Sequence, residues 1–179
     1  MKILLYIGRF QPFHNGHKLL VQDALKRCER LVIGLGSANA RASPKNPFSL
    51  NEREEMIRAS VDASGRYIPI IHLYDFPKED DYWATQVRRE MARFDRDWGI
   101  YGYDKDSSSF YLNLFPGHPL TIYDGSVLKV NATDIRKQFF RNNPDMTAIK
   151  QQVPNGTFEV LSRIQQSERW ELACQGAYL

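Results

Sequence analysis

The chain has 179 residues, of which 42% are hydrophobic and 25% charged, enough to build a real core in one globular domain. Its 24 Lys and Arg against 21 Asp and Glu leave a net charge of +3. Acids and bases are mixed, as in Glu52-Arg53-Glu54-Glu55, so the basic stripe of a nucleic-acid binder is absent and no such partner is expected. No apolar run approaches the length of a membrane span, and the first one breaks at Gly8-Arg9, so a cytoplasmic protein without a membrane anchor is expected. Cys28 and Cys174 form no metal-type spacing, which argues against a zinc site or a disulfide framework.

Residues 2–7 read as a buried strand, and "GRFQPFHNGHKLL" at 8–20 follows it directly. From 15 to 28 apolar residues recur at four-residue steps (Leu20, Ala24, Cys28), the face of a helix. A second strand is expected at 31–36. Ser49 with Glu52 three residues later predicts a capping box, and Ile57 and Val61 continue the stripe of a second helix. A third strand is expected at 67–73, and Trp83, Val87 and Met91 mark a third helix behind the candidate caps Asp80 and Asp81. Strands at 98–102 and 119–123 follow. After Asn131 the pattern becomes helical at 135–140 and 158–164, with turn signals at Asn143-Pro144 and Pro154-Asn155-Gly156.

Strands alternating with helices predict an α/β fold with a doubly wound parallel sheet, because each parallel crossover needs about a helix's length of chain. The expected organisation is a single domain over 1–179, with an α/β core at 1–143 and a small helical part at 144–179. Ligands of such sheets sit beyond the carboxyl ends of the strands. The loop at 8–20 leaves one of those ends.

The loop's composition suits phosphate. Gly8 permits a sharp turn, Gly16 lets a ligand approach the helix start, and that start offers unpaired N–H groups. Arg9 adds a planar positive fork, and His14 and His17 stand three residues apart. A lone histidine at a helix start is usually a cap or a surface residue; two, with Gly16 between them and a strand before, point to a site. Neither G-x-G-x-x-G nor G-x-x-x-x-G-K-[ST] occurs.

His14-Asn15-Gly16-His17 resembles the H-x-G-H motif of the nucleotidyltransferase superfamily. The longer run from Gly8 through Phe10 to His14 resembles the archaeal-type nicotinamide mononucleotide (NMN) adenylyltransferases. Gly34-Leu35-Gly36-Ser37-Ala38, the stretch from Pro47 to Ile57, and Tyr67-Ile68-Pro69-Ile70 extend the likeness. Asn131-Ala132-Thr133-Asp134-Ile135-Arg136 resembles the second signature, S-x-T-x-x-R, with Asn131 in place of the usual serine. Some bacterial relatives carry a fused Nudix hydrolase domain, whose glutamate-rich signature is absent here, so phosphohydrolase activity is not expected.

The resemblance implies a Rossmann-like nucleotidyltransferase fold and transfer of AMP from ATP to NMN, with nicotinic acid mononucleotide as a second acceptor, giving NAD and pyrophosphate. It implies catalytic roles for His14, His17 and Arg136. ATP contacts are implied at Gly8, Arg9, Phe10, His14, Gly16, His17, Asn131, Thr133 and Arg136, and NMN contacts at Arg53 and Trp83. Mg²⁺ would be held mainly by substrate phosphates, with no dedicated protein site. A homo-oligomer is compatible with the likeness.

Alternatives stay open at several positions. Arg136 could be solvent-exposed, Thr133 part of a helix cap, Arg53 a helix-surface ion pair, Trp83 a core residue, and Lys105 and Asp106 either surface groups or part of the nucleotide crevice. Another acceptor, such as phosphopantetheine or FMN, and a nucleotide sensor without turnover are the rival functions.

Overall fold

The computed structural model describes residues 2–61, 65–76, 79–104, 107–124 and 129–178. They divide into two compact units: 1–9, 20–39 and 63–127 in the first, 10–19, 40–62 and 128–179 in the second.

The first unit is built on a five-stranded parallel sheet. Its strands are β1 (Ile3–Gly8), β2 (Arg30–Leu35), β3 (Ile70–His72), β4 (Gly99–Gly102) and β5 (Leu120–Ile122), in the order β3-β2-β1-β4-β5. Leu5 lies opposite Val32 on one side and Ile100 on the other. The order reverses at β1, the strand whose carboxyl end leads into Gly8 and Arg9.

Alternate residues of each strand face opposite ways. Leu5, Val32, Ile71 and Ile100 bury one face against Ala84, Val87 and Met91 of α3 (Asp80–Met91) and Leu112 of the 3-10 segment Ser107–Asn113. On the other face, the Tyr101 hydroxyl donates to Asp23 Oδ2 at 2.7 Å, on α1 (Asn15–Arg27), whose residues from Leu20 onward belong to this unit. Helices on both faces are what the alternating pattern required.

Strand β3 is three residues long where seven were expected. Pro69 has no N–H to give a ladder and takes part only as an acceptor, from Ile33 N at 2.9 Å, as befits an edge strand. Asp80 and Asp81 are not caps: they lie in the first turn of α3 behind Glu79, where their charge complements the helix dipole.

The second unit is helical: α2 (Leu50–Ser60), α4 (Ala132–Phe139), α5 (Met146–Gln152), α6 (Asn155–Gln165) and α7 (Glu168–Cys174), with the start of α1. The predicted capping box of α2 is present, with Glu52 N donating to Ser49 Oγ at 3.3 Å and Ser49 N to Glu52 Oε2 at 2.8 Å. The turn signal at 154–156 starts a helix instead, with Pro154 as its N-cap. Gly156 is required for packing: a Cβ there would lie 2.3 Å from the Ala59 carbonyl oxygen of α2. Beside it, Thr157 N donates to Ser60 Oγ at 3.0 Å. Helices α5 and α7 have seven residues each, too short for a periodic stripe, and start at the side-chain caps Asp145 and Ser167. No helix among the described residues is long and apolar enough to cross a membrane, and both cysteines are free thiols.

Candidate active site

Helix α1 begins at Asn15, which makes His14 its N-cap and His17 its N3 residue. His17 N donates to His14 Nδ1 at 3.3 Å, and His14 N donates to His17 Nδ1 at 3.2 Å. This is the reciprocal geometry of a capping box, made by two imidazoles instead of a hydroxyl and a carboxylate. The three-residue spacing follows from it, since N-cap and N3 are the positions that can exchange such bonds. The rings stack with centroids 3.6 Å apart and planes 22° from parallel.

The box decides the chemistry of each ring. A nitrogen that accepts a backbone N–H cannot also carry a proton in the same plane, so each neutral ring holds its proton on Nε2. Both histidines are therefore donors at Nε2. Capping thus engages Nδ1 of each side chain.

The loop ahead of the box is held firmly. Phe10 is buried with φ at +51°, a conformation costly for a bulky residue. Its ring contacts Phe13 and His17, at centroid distances of 5.8 and 4.9 Å. Gln11, 2% exposed, donates from Nε2 to the Phe48 carbonyl at 2.9 Å and accepts from Phe48 N at 3.0 Å. Asn15 Nδ2 donates to the Gln151 carbonyl at the end of α5, at 2.9 Å. Gly16 is buried in the first turn of α1.

Arg136 is brought to this loop although 119 positions separate it from His17. Its guanidinium donates from Nη1 to the Gln11 carbonyl at 2.7 Å, from Nε to the Pro44 carbonyl at 3.1 Å and from Nη2 to Thr133 Oγ1 at 3.2 Å. It is 9% exposed, so the solvent-facing alternative is not the conformation seen. Asn131 is the N-cap of α4: its Oδ1 accepts from Asp134 N at 3.0 Å, the role expected of a polar residue in place of serine. Thr133 is exposed, in the first turn, and is not the cap.

Arg53 is also inside, 2% exposed, with Nε donating to the Ser49 carbonyl at 3.3 Å. Its side chain thus lies inside and not on the helix surface. The glutamates around it bond to other arginines, Glu52 to Arg169 at 2.7 Å and Glu54 to Arg58 at 2.7 Å.

Gly8, Arg9 and Trp83 belong to the first unit. The Gly8 carbonyl accepts from Gly36 N at 2.9 Å, and Arg9 is exposed. Trp83 is half-buried against the sheet core, 6.1 Å from the Tyr111 ring and 6.0 Å from that of Phe115. Tyr111 donates from its hydroxyl to the Ile7 carbonyl at 3.1 Å, and burial pushes its pKa up to about 12, so it remains a donor across the physiological range. Lys105 and Asp106 lie outside the described residues. No cluster of three or more His, Cys, Asp or Glu side chains suited to a metal ion occurs among the described residues. The residue that sequence reasoning passed over is Gln11. The available signal was an amide set among Phe10, Pro12 and Phe13, a place where a polar side chain must find partners.

Residues 5–74 match the cytidylyltransferase-like family. The chain is 33% identical over 172 residues to a nicotinamide/nicotinic acid mononucleotide adenylyltransferase of Acinetobacter baylyi, covering 92% of this chain and 87% of that one. It is 30% identical over 171 residues to a nicotinamide-nucleotide adenylyltransferase of Thermococcus onnurineus, covering 92% and 84%. Among solved structures, a bifunctional NMN adenylyltransferase/ADP-ribose pyrophosphatase of Francisella tularensis, complexed with AMP and a manganese ion, superposes with a TM-score of 0.82 at 28% identity. That match covers 97% of this chain and 52% of the other, so the chain spans about half the length of the bifunctional protein.

Proposed function

The chain belongs to the nicotinamide-nucleotide adenylyltransferases, and we propose that it transfers the adenylyl group of ATP to nicotinamide mononucleotide, forming NAD and pyrophosphate, with residues 1–179 acting as one nucleotidyltransferase domain. The observation that carries this reading is the pair of stacked imidazoles at the start of α1, each accepting a backbone N–H at Nδ1, which leaves the proton of the neutral ring on Nε2.

In the reaction, an oxygen of the mononucleotide 5′-phosphate bonds to the α-phosphorus of ATP while the bond from that phosphorus to the bridging oxygen breaks and pyrophosphate departs. The nucleophile arrives ionised, so no general base is needed. What the protein supplies is alignment of two anions and donors for the charge that develops on the phosphoryl oxygens. His14 and His17 donate from Nε2 at the reacting α-phosphate. Arg136, fixed beside Gln11, and Thr133 serve the β- and γ-phosphates with Gly8, Arg9 and Phe10, while Asn131 caps the helix that carries Arg136 and Gly16 keeps the start of α1 open. Arg53 and Trp83 serve the mononucleotide. Mg²⁺ enters with the triphosphate as part of the substrate.

The test is pyrophosphate release from ATP with Mg²⁺ and each acceptor in turn: NMN, nicotinic acid mononucleotide, phosphopantetheine and FMN. Fastest release with a pyridine mononucleotide is expected. Faster release with phosphopantetheine or FMN would replace the acceptor, and nucleotide binding without release would replace the enzyme with a sensor.

A further inference from the structure

The two signatures hold the groups that meet phosphate, yet an uncharged residue of the loop makes the bonds that join them. Gln11 reaches Phe48 with both ends of its amide, at 2.9 and 3.0 Å, and its own carbonyl accepts from Arg136 Nη1 at 2.7 Å. Arg136 Nε reaches the Pro44 carbonyl at 3.1 Å, four residues before Phe48. Three segments of this unit thus meet at one residue: the loop ahead of His14, the stretch 44–48 and, through Arg136, α4.

We propose that Gln11 is a positioning residue for adenylyl transfer, setting the loop that carries His14 and His17 in register with Arg136. The proposal rests on the adenylyltransferase reading. Glutamine suits the task because its amide offers a donor and an acceptor side by side, matching the C=O and N–H of one backbone residue, Phe48. Methionine of similar length has neither. An ionised glutamate has acceptors only, and sets one of them against the Phe48 carbonyl. A protonated glutamate restores both bonds, its O–H donating to the Phe48 carbonyl and its C=O accepting from Phe48 N–H.

This makes pH the informative variable. In Gln11→Glu, burial favours the protonated carboxyl and the neighbouring Arg136 guanidinium opposes it, so the ratio of variant to wild-type kcat is followed from about pH 8 down to about pH 5. At the alkaline end kcat is expected to fall about 100-fold, the cost of misplacing reacting groups by about 1 Å, with KM for ATP and NMN changed far less. On acidification the ratio should climb at least about tenfold, since the acid form regains the missing donor. Gln11→Met should lose kcat to a similar extent at every pH.

A folded Gln11→Glu with wild-type kcat at about pH 8, or a Gln11→Met variant with wild-type kcat, overturns the proposal; a ratio that stays low at every pH is the carboxylate held ionised by Arg136, and Gln11→Met then decides. If Gln11→Glu does not fold, Gln11→Met decides by the split between kcat and KM: loss confined to kcat supports positioning, and loss of thermal stability with intact kcat reduces Gln11 to packing. Wild-type protein that turns over no acceptor refutes the function itself. The positioning claim is then read from the ring ¹⁵N resonances of His14 and His17, which Gln11→Glu should displace at high pH and return at low pH, and which overturn the claim if they stay unmoved.

Discussion

Two helix starts in the second unit carry the same reciprocal bonds made from different chemistry. At α2, Ser49 and Glu52 exchange bonds of 3.3 and 2.8 Å; at α1, His14 and His17 exchange bonds of 3.3 and 3.2 Å. In the first box the oxygens satisfy the helix start. In the second, each ring caps with one nitrogen and carries a proton on the other. A five-membered ring with two nitrogens therefore anchors itself through an acceptor without spending its donor. Arg136 illustrates the opposite case. It has only donors, and three of its N–H groups are committed to Gln11, Pro44 and Thr133.

Transplanting one box into the other would separate the two roles most sharply. The double variant His14→Ser, His17→Glu keeps a capping box while removing both Nε2 donors, so it should unfold within a few degrees of wild type. Its turnover should fall by at least about 10²–10³-fold, the loss typical of one stabilising donor. Activity close to wild type in that variant would break the distinction between the boxes. Single replacements of His17 sharpen it further. Glutamine places an N–H near the Nε2 position and asparagine places its amide near Nδ1, so Gln should retain more kcat and Asn more of the cap. The reverse order would assign the chemistry to the wrong nitrogen.

Arg136→Lys tests the fork. A single ammonium cannot reach both backbone carbonyls in the geometry of the fork, so a buried carbonyl is left without its donor, at a cost of about 1–3 kcal/mol in a denaturant titration. KM for ATP should rise in the same variant. A stable Arg136→Lys protein with unchanged KM would show that the fork is dispensable.

Trp83→Ala tests the other unit. If the indole meets the pyridine ring, KM for NMN rises far more than KM for ATP. Equal effects, together with a loss of about 3–5 kcal/mol of stability, assign it to packing on Tyr111 and Phe115.

The smallest effect belongs to the third cap. Asn131→Ala should cost about 0.5–2 kcal/mol through loss of the bond to Asp134 N, and Asn131→Ser should recover most of it.

Much of this was legible in the chain. The strand and helix order could be read because buried parallel strands and amphipathic helices repeat on short periods, and Ser49-x-x-Glu52 announces its helix start by residue type. The equivalent start at His14 escaped notice as a box because imidazole pairs are not the usual capping chemistry, although the spacing is identical. Helices α5 and α7 were too short to show a period. Gly156 read as a turn because composition cannot show that α2 approaches within 2.3 Å of where its Cβ would lie. For Arg53 a ligand contact and a helix-surface ion pair stayed open because glutamates flank it, and only packing reveals that its side chain is buried.

By itself the sequence determined what lies within a turn of chain: the helix starting at Asn15, two imidazoles three residues apart near its start, a capped helix carrying Arg136, and the residue types suited to phosphate. These depend on hydrogen bonds between neighbours three or four positions apart, which spacing specifies. The tertiary structure alone decided which groups meet across 37 and 125 positions, as Gln11 does with Phe48 and with Arg136. Such contacts cost loop-closure entropy that only the collective burial of the unit offsets. No local pattern encodes them.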